Sequence, residues 1–239
     1  MKDIHSHYLP GVDDGAKTID STRRMLKSAS ENGVTEIMFT PHYVPNSEFS
    51  SIKEENLKIF EPIKHIAKEE YGIEVYLGNE VYLTSDILDY INRGDIATLN
   101  NGNYMLFELP MFTELSNVKS IFFEIINMGI IPILAHPERY IAYYKNYDFF
   151  FELRSMGVLM QMNYPSLLGM YGKKAKKMAK ELLKMNLYSF LGSDIHSASE
   201  MKYEAIPKLE KKLTKMVGQA KFLELRELNF NKVVKNERI

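Results

Sequence analysis

Short apolar runs alternate with amphipathic helical stretches along this chain, and that order leads to a parallel sheet covered by helices. Strands are expected over residues 4–8, 34–41, 73–81, 103–110, 130–137, 158–163 and 187–194. Helices are expected over residues 18–32, 50–71, 86–94, 115–129, 140–156 and 166–185, and over most of the remainder. Glycine or proline closes many of these segments, as at Gly33, Pro41, Gly129 and Pro137. About seven parallel strands in 239 residues suit a barrel. No linker, low-complexity tract or internal repeat divides the sequence, so a single domain over residues 1–239 is expected.

The chemistry sits where the strands end. Five of the six histidines lie in short ligand-like motifs: His5 and His7 in an HxH pair, His42 in TPHY, His136 in AHPERY, and His196 two residues after Asp194 in GSDIHS. Residues two apart on a strand share a face, so His5 and His7 point together, as do Asp194 and His196. Glu80 follows Gly78-Asn79, and Glu108 interrupts an apolar strand in LFELP. A buried carboxylate there is costly unless it is paired or bound to metal. Asp14, with Asp13 as a substitute, lies in a glycine-flanked loop after the HxH pair. In parallel barrels the C-terminal rim of the strands is where active sites are built. Five neutral imidazoles and four carboxylates gathered there can hold two or three divalent cations. Three cations and four carboxylates leave a charge of about +2, which suits a phosphate dianion. Nitrogen and oxygen ligands without sulfur suit manganese, iron or zinc. Such ions acidify a bridging water to hydroxide near neutral pH. Arg139, three residues after His136, can clamp a phosphate with its planar fork or pair with Glu138 or another acid.

Other features have plainer readings. Each histidine alone has one too: a strand cap, or a satisfied core imidazole. His65 lies in a charged helical stretch and is assigned to the surface. Ser6, Ser193 and Ser197 lack a GxSxG elbow. The KKAKKMAKELLK run has helical spacing, with Ala175, Met178, Ala179, Leu182 and Leu183 facing inward and the lysines in solvent. There are no cysteines, which removes thiolate catalysis, disulfides and cysteine-ligated zinc. A formal net charge of −1 gives no sign of nucleic-acid binding. Neither a membrane-spanning run nor a signal peptide is seen, so no membrane insertion and a cytoplasmic location are expected.

The motifs DIHSHYLPGVDDGAK, TPHY, GNEV, LFELP, AHPERY and GSDIHS resemble the polymerase-and-histidinol-phosphatase (PHP) superfamily. Within it they resemble the bacterial CpsB/YwqE-type manganese-dependent protein-tyrosine phosphatases. The motifs keep their order over nearly the full length. The resemblance implies an α/β fold, a distorted (β/α)7 TIM-like barrel with a metal site at the C-terminal end of the strands. It implies three divalent ions, manganese first, with iron or zinc as alternatives. One would be held by His5, His7, Glu80 and Asp194. A second would share Glu80 with Glu108 and His136. The third would take Asp14, His42 and His196, which with Arg139 form the expected catalytic set. The implied reaction is hydrolysis of phosphotyrosine by a metal-bridging hydroxide. Its implied substrate is the C-terminal tyrosine cluster of a bacterial tyrosine kinase controlling capsule or exopolysaccharide synthesis. Two alternatives stand beside it: a phosphoesterase acting on small phosphomonoesters such as histidinol phosphate, and a non-catalytic module that captures the kinase tail. The sequence leaves the oligomeric state open. One departure stands out. Relatives carry an arginine several residues after the SDxH motif, where this chain has Met201 and Lys202. Lys202 can supply charge to the substrate phosphate there, but no bidentate fork.

Overall fold

A computed structural model describes residues 1–199 and 205–239. Its strand segments are β1 (Lys2–Asp3), β2 (Glu36–Phe39), β3 (His42–Tyr43), β4 (Glu74–Leu77), β5 (Glu80–Tyr82), β6 (Tyr104–Glu108), β7 (Ile131–Ala135), β8 (Leu159–Asn163) and β9 (Phe190–Gly192). All pair in parallel, in the orders β1-β2-β4 and β3-β5-β6-β7-β8-β9. These two sheets are one wall. Thr40-Pro41 separates β2 from β3, and Gly78-Asn79 separates β4 from β5. Backbone bonds from Gly78 N to Phe39 O and from Glu80 N to Pro41 O carry the ladder across both breaks. Two broken strands and five others make the seven expected. The ring closes where Ser6 bridges Ile195. There Asp194 N donates to His5 O at 2.8 Å and His7 N to Ile195 O at 3.0 Å. The result is a distorted (β/α)7 barrel, its distortion concentrated at strand breaks that flank candidate ligands.

Alternation along each strand separates two apolar layers. In β6, Tyr104 and Leu106 belong to one buried cluster, and Met105 and Phe107 to another. The first cluster fills the barrel with Ile4, Met38, Ile133, Leu159 and Phe190. Glu108, two residues after Leu106, continues that inward row to the mouth. The second cluster packs the outer sheet face against the surrounding helices, for example Phe107 edge-on to Phe122 at 5.6 Å. At the opposite end of the barrel α10 (Asn229–Val234) inserts Phe230 and Val233 into the interior cluster. The catalytic end therefore has a packed floor beneath it.

The helices between strands include α1 (Ile19–Glu31), α2 (Lys53–Tyr71), α3 (Ile87–Arg93) and α4 (Val118–Asn127), then α5 (Tyr147–Ser155), α6 (Tyr164–Leu168) and α7 (Gly172–Lys184). α8 (Ile206–Val217) and α9 (Gln219–Leu223) lead to α10. The Thr18 hydroxyl accepts from Ser21 N and starts α1 as a capping box. Three boundaries differ from expectation. The regular first strand is Lys2–Asp3 rather than residues 4–8, because Asp3 Oδ1 draws in the backbone N–H groups of His5 and Ser193 and puckers the chain. Helix α5 starts at Tyr147 rather than 140, since Lys145 is left-handed (φ 66°) and Asn146 caps the helix by accepting from Phe149 N. The helix expected over residues 166–185 is two, split by Gly169 (φ 92°) and Gly172 (φ 86°). Among the described residues no helix is long and apolar enough to cross a membrane.

Candidate metal centre

All nine expected ligands converge at the barrel mouth. Their distribution follows from the fold. The HxH segment that follows β1 adds two imidazoles, β3 adds His42, β5 adds Glu80, and β6 adds Glu108. His136 follows β7, while Asp194 and His196 follow β9. Both His136 (φ 31°) and Asp194 (φ 53°) sit in the left-handed region. Holding a residue there costs about 1–3 kcal/mol unless its surroundings fix it, and such strain gathers at functional sites.

Three neighbouring groups of donor atoms can each hold an ion: His5, His7, Glu80 and Asp194; His7, Asp14, His42 and His196; and His42, Glu80 and Glu108. In the first, His5 Nε2 lies 3.2 Å from His7 Nε2, 3.1 Å from Glu80 Oε2 and 3.4 Å from Asp194 Oδ1. His7 Nε2 is 3.3 Å from the same Glu80 oxygen. In the second, Asp14 Oδ1 is 3.2 Å from His196 Nε2 and 3.5 Å from His42 Nε2. In the third, His42 Nδ1 is 3.1 Å from Glu80 Oε2 and 3.4 Å from Glu108 Oε1. His136 Nε2 meets Glu80 Oε1 at 2.9 Å and Glu108 Oε2 at 4.0 Å. Glu80 thus stands at the centre, with His42 between two of the groups.

The surrounding hydrogen bonds decide what these atoms can bind. His5 Nδ1 lies 2.9 Å from Gln161 Oε1, which can only accept, so His5 Nδ1 carries the hydrogen. His7 Nδ1 lies 2.7 Å from Asp13 Oδ2 and donates likewise. In the neutral imidazoles both Nε2 atoms are then bare lone pairs, facing each other and two carboxylate oxygens. Among the described residues, Glu80 Oε2 and His42 Nδ1 are buried without a hydrogen-bond partner. Buried acceptors are seldom left so. A cation satisfies them together, and the nitrogen and oxygen donors fit a first-row divalent ion.

The charges tell the same story. Burial opposes ionisation of Asp194, but His5, His7 and His136 hold its pKa well below the usual carboxylate range. Glu80 is likewise held low against burial by His5, His42 and His136. Glu108 goes the other way, raised well above its ordinary value by burial and by the Glu80 and Asp194 charges. Burial also opposes charge on His5 and His7, yet Glu80 and Asp194 raise His5, and Asp13 raises His7 further. Burial and Arg139 lower His136 to about 4, which leaves it neutral and ready to ligate. Carboxylates this crowded need positive charge, and without an ion imidazolium supplies it.

Several participants have no mark in the ligand motifs. Asp13 does not substitute for Asp14: its oxygens receive His7 Nδ1, His42 N and Gly15 N, so it stands behind His7 as an orienter. Gln161 and Asn163 on β8 brace the other side. Gln161 Nε2 donates to Asn163 Oδ1 at 2.8 Å, and Asn163 Nδ2 to Asp194 Oδ2 at 2.7 Å. Buried Glu138 accepts from Asn163 N at 2.9 Å and from the Tyr188 hydroxyl at 3.0 Å, so it does not pair with Arg139. Two amides two apart in the otherwise apolar VLMQMN strand are the signal in the sequence. Arg139 bonds Asp194 Oδ2 through Nη1 at 2.6 Å. It lines a cavity of about 420 Å³ with Asp14, Asp194 and His196. His65 is exposed on α2, and the five apolar residues named for the lysine-rich run are buried beneath α7. Lys202 lies outside the described residues.

Residues 1–235 match the family model described as capsular polysaccharide synthesis, CpsB/CapC. The chain belongs to the CpsB/CapC family. It is 36% identical over 197 residues to the putative tyrosine-protein phosphatase CapC of Staphylococcus aureus, covering 82% of this chain and 77% of that one. To the tyrosine-protein phosphatase CpsB of Streptococcus agalactiae serotype V it is 32% identical over 203 residues, covering 82% and 83%. A solved structure from work on YwqE of Bacillus subtilis and CpsB of Streptococcus pneumoniae, described as metal-dependent tyrosine phosphatases, superposes with a TM-score of 0.87. It is 27% identical and covers 100% of this chain and 96% of its own. This CpsB/CapC chain therefore shares both sequence and barrel with that group.

Proposed function

We propose that this CpsB/CapC-family chain is a metal-dependent tyrosine-protein phosphatase acting in capsular polysaccharide synthesis, with the tyrosine-rich tail of a bacterial tyrosine kinase as its substrate. The observation that carries the reading is that His5 Nε2 and His7 Nε2 each lie within 3.4 Å of the other, of Glu80 Oε2 and of Asp194 Oδ1, with no proton donor among these atoms when the imidazoles are neutral. Three divalent ions, manganese first, fit the nine donors. His5, His7, Glu80 and Asp194 would hold one, Glu80, Glu108 and His136 a second, and Asp14, His42 and His196 the third. When bound, such ions acidify water and screen the negative charge of a phosphate ester.

The chain's own residues do the rest. Gln161 and Asp13 fix the tautomers of His5 and His7 so that Nε2 stays available. Arg139 is tethered by one nitrogen to Asp194 and uses its remaining N–H groups on the phosphate oxygens. It faces the charge that develops on them in the transition state. Tyrosine suits this site as a leaving group, because its phenol has a pKa near 10 and departs without a strong general acid. With no cysteine in the chain, a thiol phosphoenzyme has no place in the route. The nine donors come from residues 5 to 196, so the barrel acts as one domain. A kinase tail is phosphorylated where ATP is, which places the reaction in the cytoplasm.

Phosphate release from a phosphotyrosine peptide tests the proposal. Chelation is expected to abolish turnover, added manganese to restore it, and thiol alkylation to leave it unchanged. Full turnover in metal-free protein overturns the metal mechanism. A kcat/KM for histidinol phosphate far above that for the peptide overturns the substrate assignment. Tight peptide binding without phosphate release makes the chain a binding module instead.

A further inference from the structure

The cavity beside the candidate metal centre has a polar set and an apolar set of lining residues, and one contact joins them. Asp14, Arg139, Asp194 and His196 make the polar set, while Pro165, Met170 and Tyr171 add large apolar surface. The Arg139 guanidinium carbon sits 4.2 Å from the centroid of the Tyr171 ring. A cation over a tyrosine face is attracted by the ring quadrupole. Tyr171 is held there by backbone geometry. It lies between Gly169 and Gly172, both left-handed, in the short break that separates α6 from α7. These two turns leave Met170 46% and Tyr171 36% exposed at the mouth. α7 then anchors the segment through buried Ala175 and Met178.

An anion held by Arg139 would share its cavity with the Tyr171 ring. Tyr171, Met170 and Pro165 are the lining side chains that could receive the group esterified to it. We propose that these three side chains form the subsite for the aromatic ring of an aryl phosphate, with Tyr171 as its principal wall and as a positioning residue for Arg139. This rests on the phosphatase reading above and deepens it, by naming residues that prefer an aryl to an alkyl ester. Aromatic pairs attract beyond the burial of area alone. Thioether contacts from Met170 add to that.

The test uses manganese-loaded full-length protein and two non-hydrolysable probes, phenylphosphonate and methylphosphonate, with binding measured by calorimetry. In parallel, kcat/KM is measured for phosphotyrosine and for phosphoserine. The Tyr171→Ala variant is expected to lose about tenfold more affinity for phenylphosphonate than for methylphosphonate, and its aryl-over-alkyl kcat/KM ratio falls by a similar factor. Tyr171→Phe keeps a ring on Arg139 and is expected to keep both ratios within about twofold. Equal losses for both probes in Tyr171→Ala overturn the aryl subsite and leave Tyr171 serving Arg139 alone. No loss for either probe overturns both roles. Wild-type protein that binds these probes but hydrolyses no phosphotyrosine defeats the functional reading instead, and the binding ratio then judges the subsite separately.

Discussion

Asp13 and Gln161 show how much of this site rests on side chains that touch no ion. Each fixes one imidazole by accepting from Nδ1, and together they leave the paired Nε2 atoms of His5 and His7 bare. Orienting partners of this kind alter metal affinity by about 10–100-fold. Asp13→Asn and Gln161→Met are each expected to weaken manganese binding within that range while all nine ligands remain. Titration of metal-free protein with manganese measures it, and unchanged affinity in both variants contradicts the orienting role. Arg139 is a separate case. Arg139→Lys keeps the charge but loses the fork that reaches Asp194 and phosphate together. Its kcat/KM for a phosphotyrosine peptide is expected to fall about 10²-fold, in line with removal of a donor to developing charge. The residues that converge at the mouth were legible as candidates, since histidine motifs and out-of-place acids announce themselves. Their supports were not. An aspartate beside another in a loop, or a glutamine in a strand, has many ordinary uses, and only the fold shows which neighbour it serves.

At the scale of elements, strand ends and turns carry the function. Gly192 ends β9 where β1 and β8 both approach. A Cβ there would lie 2.7 Å from Gln161 Nε2 and 2.9 Å from His5 Cβ. Gly192→Ala therefore pushes on the pair that sets the His5 tautomer. Overpacking of this kind costs about 1–3 kcal/mol. The variant is expected to lower the denaturation midpoint accordingly and to weaken manganese binding, and wild-type values for both contradict the account. The alternation of strand and helix was readable because near-continuous apolar strands belong to a sheet covered on both faces. Breaks were less readable. The Gly169 and Gly172 turns lie inside a stretch whose lysine and leucine spacing is helical on both sides, so periodicity ran across them. Lys145 and Asn146 delay α5 through backbone conformation, which a lysine does not signal.

For the molecule as a whole, the ion cluster links folding, pH and activity. Glu80 and Asp194 have depressed pKa values, so in the metal-free fold they contribute stability above their ordinary values of 4.5 and 3.8, and lose it as pH falls through the folded values. His5 and His7 have raised values, so their contribution is full below 6.5 and fades as pH rises through the folded values. Those same imidazoles hold protons above pH 6.5 that an entering cation must displace. Manganese affinity is therefore expected to rise as pH rises above the ordinary imidazole value and these protons are lost, with proton release seen as a dependence of the binding enthalpy on buffer. A flat profile contradicts this. Ions present at about 1,000 times their Kd add about 4 kcal/mol of stability. In a chain of this length chelation should lower Tm by roughly 10 °C.

The convergence of distant motifs on one rim was legible before any coordinates. It follows from parallel strands that all end on the same side. Which donors group around which ion was not, because spacing along a chain does not say how far strand ends lie apart. The most direct test is an anomalous-scattering map from crystals of manganese-loaded protein soaked with phosphate. The account predicts peaks among His5, His7, Glu80 and Asp194, among Asp14, His42 and His196, and beside Glu108 and His136, with the phosphate between them and Arg139. Peaks elsewhere, or none among these side chains, contradict it.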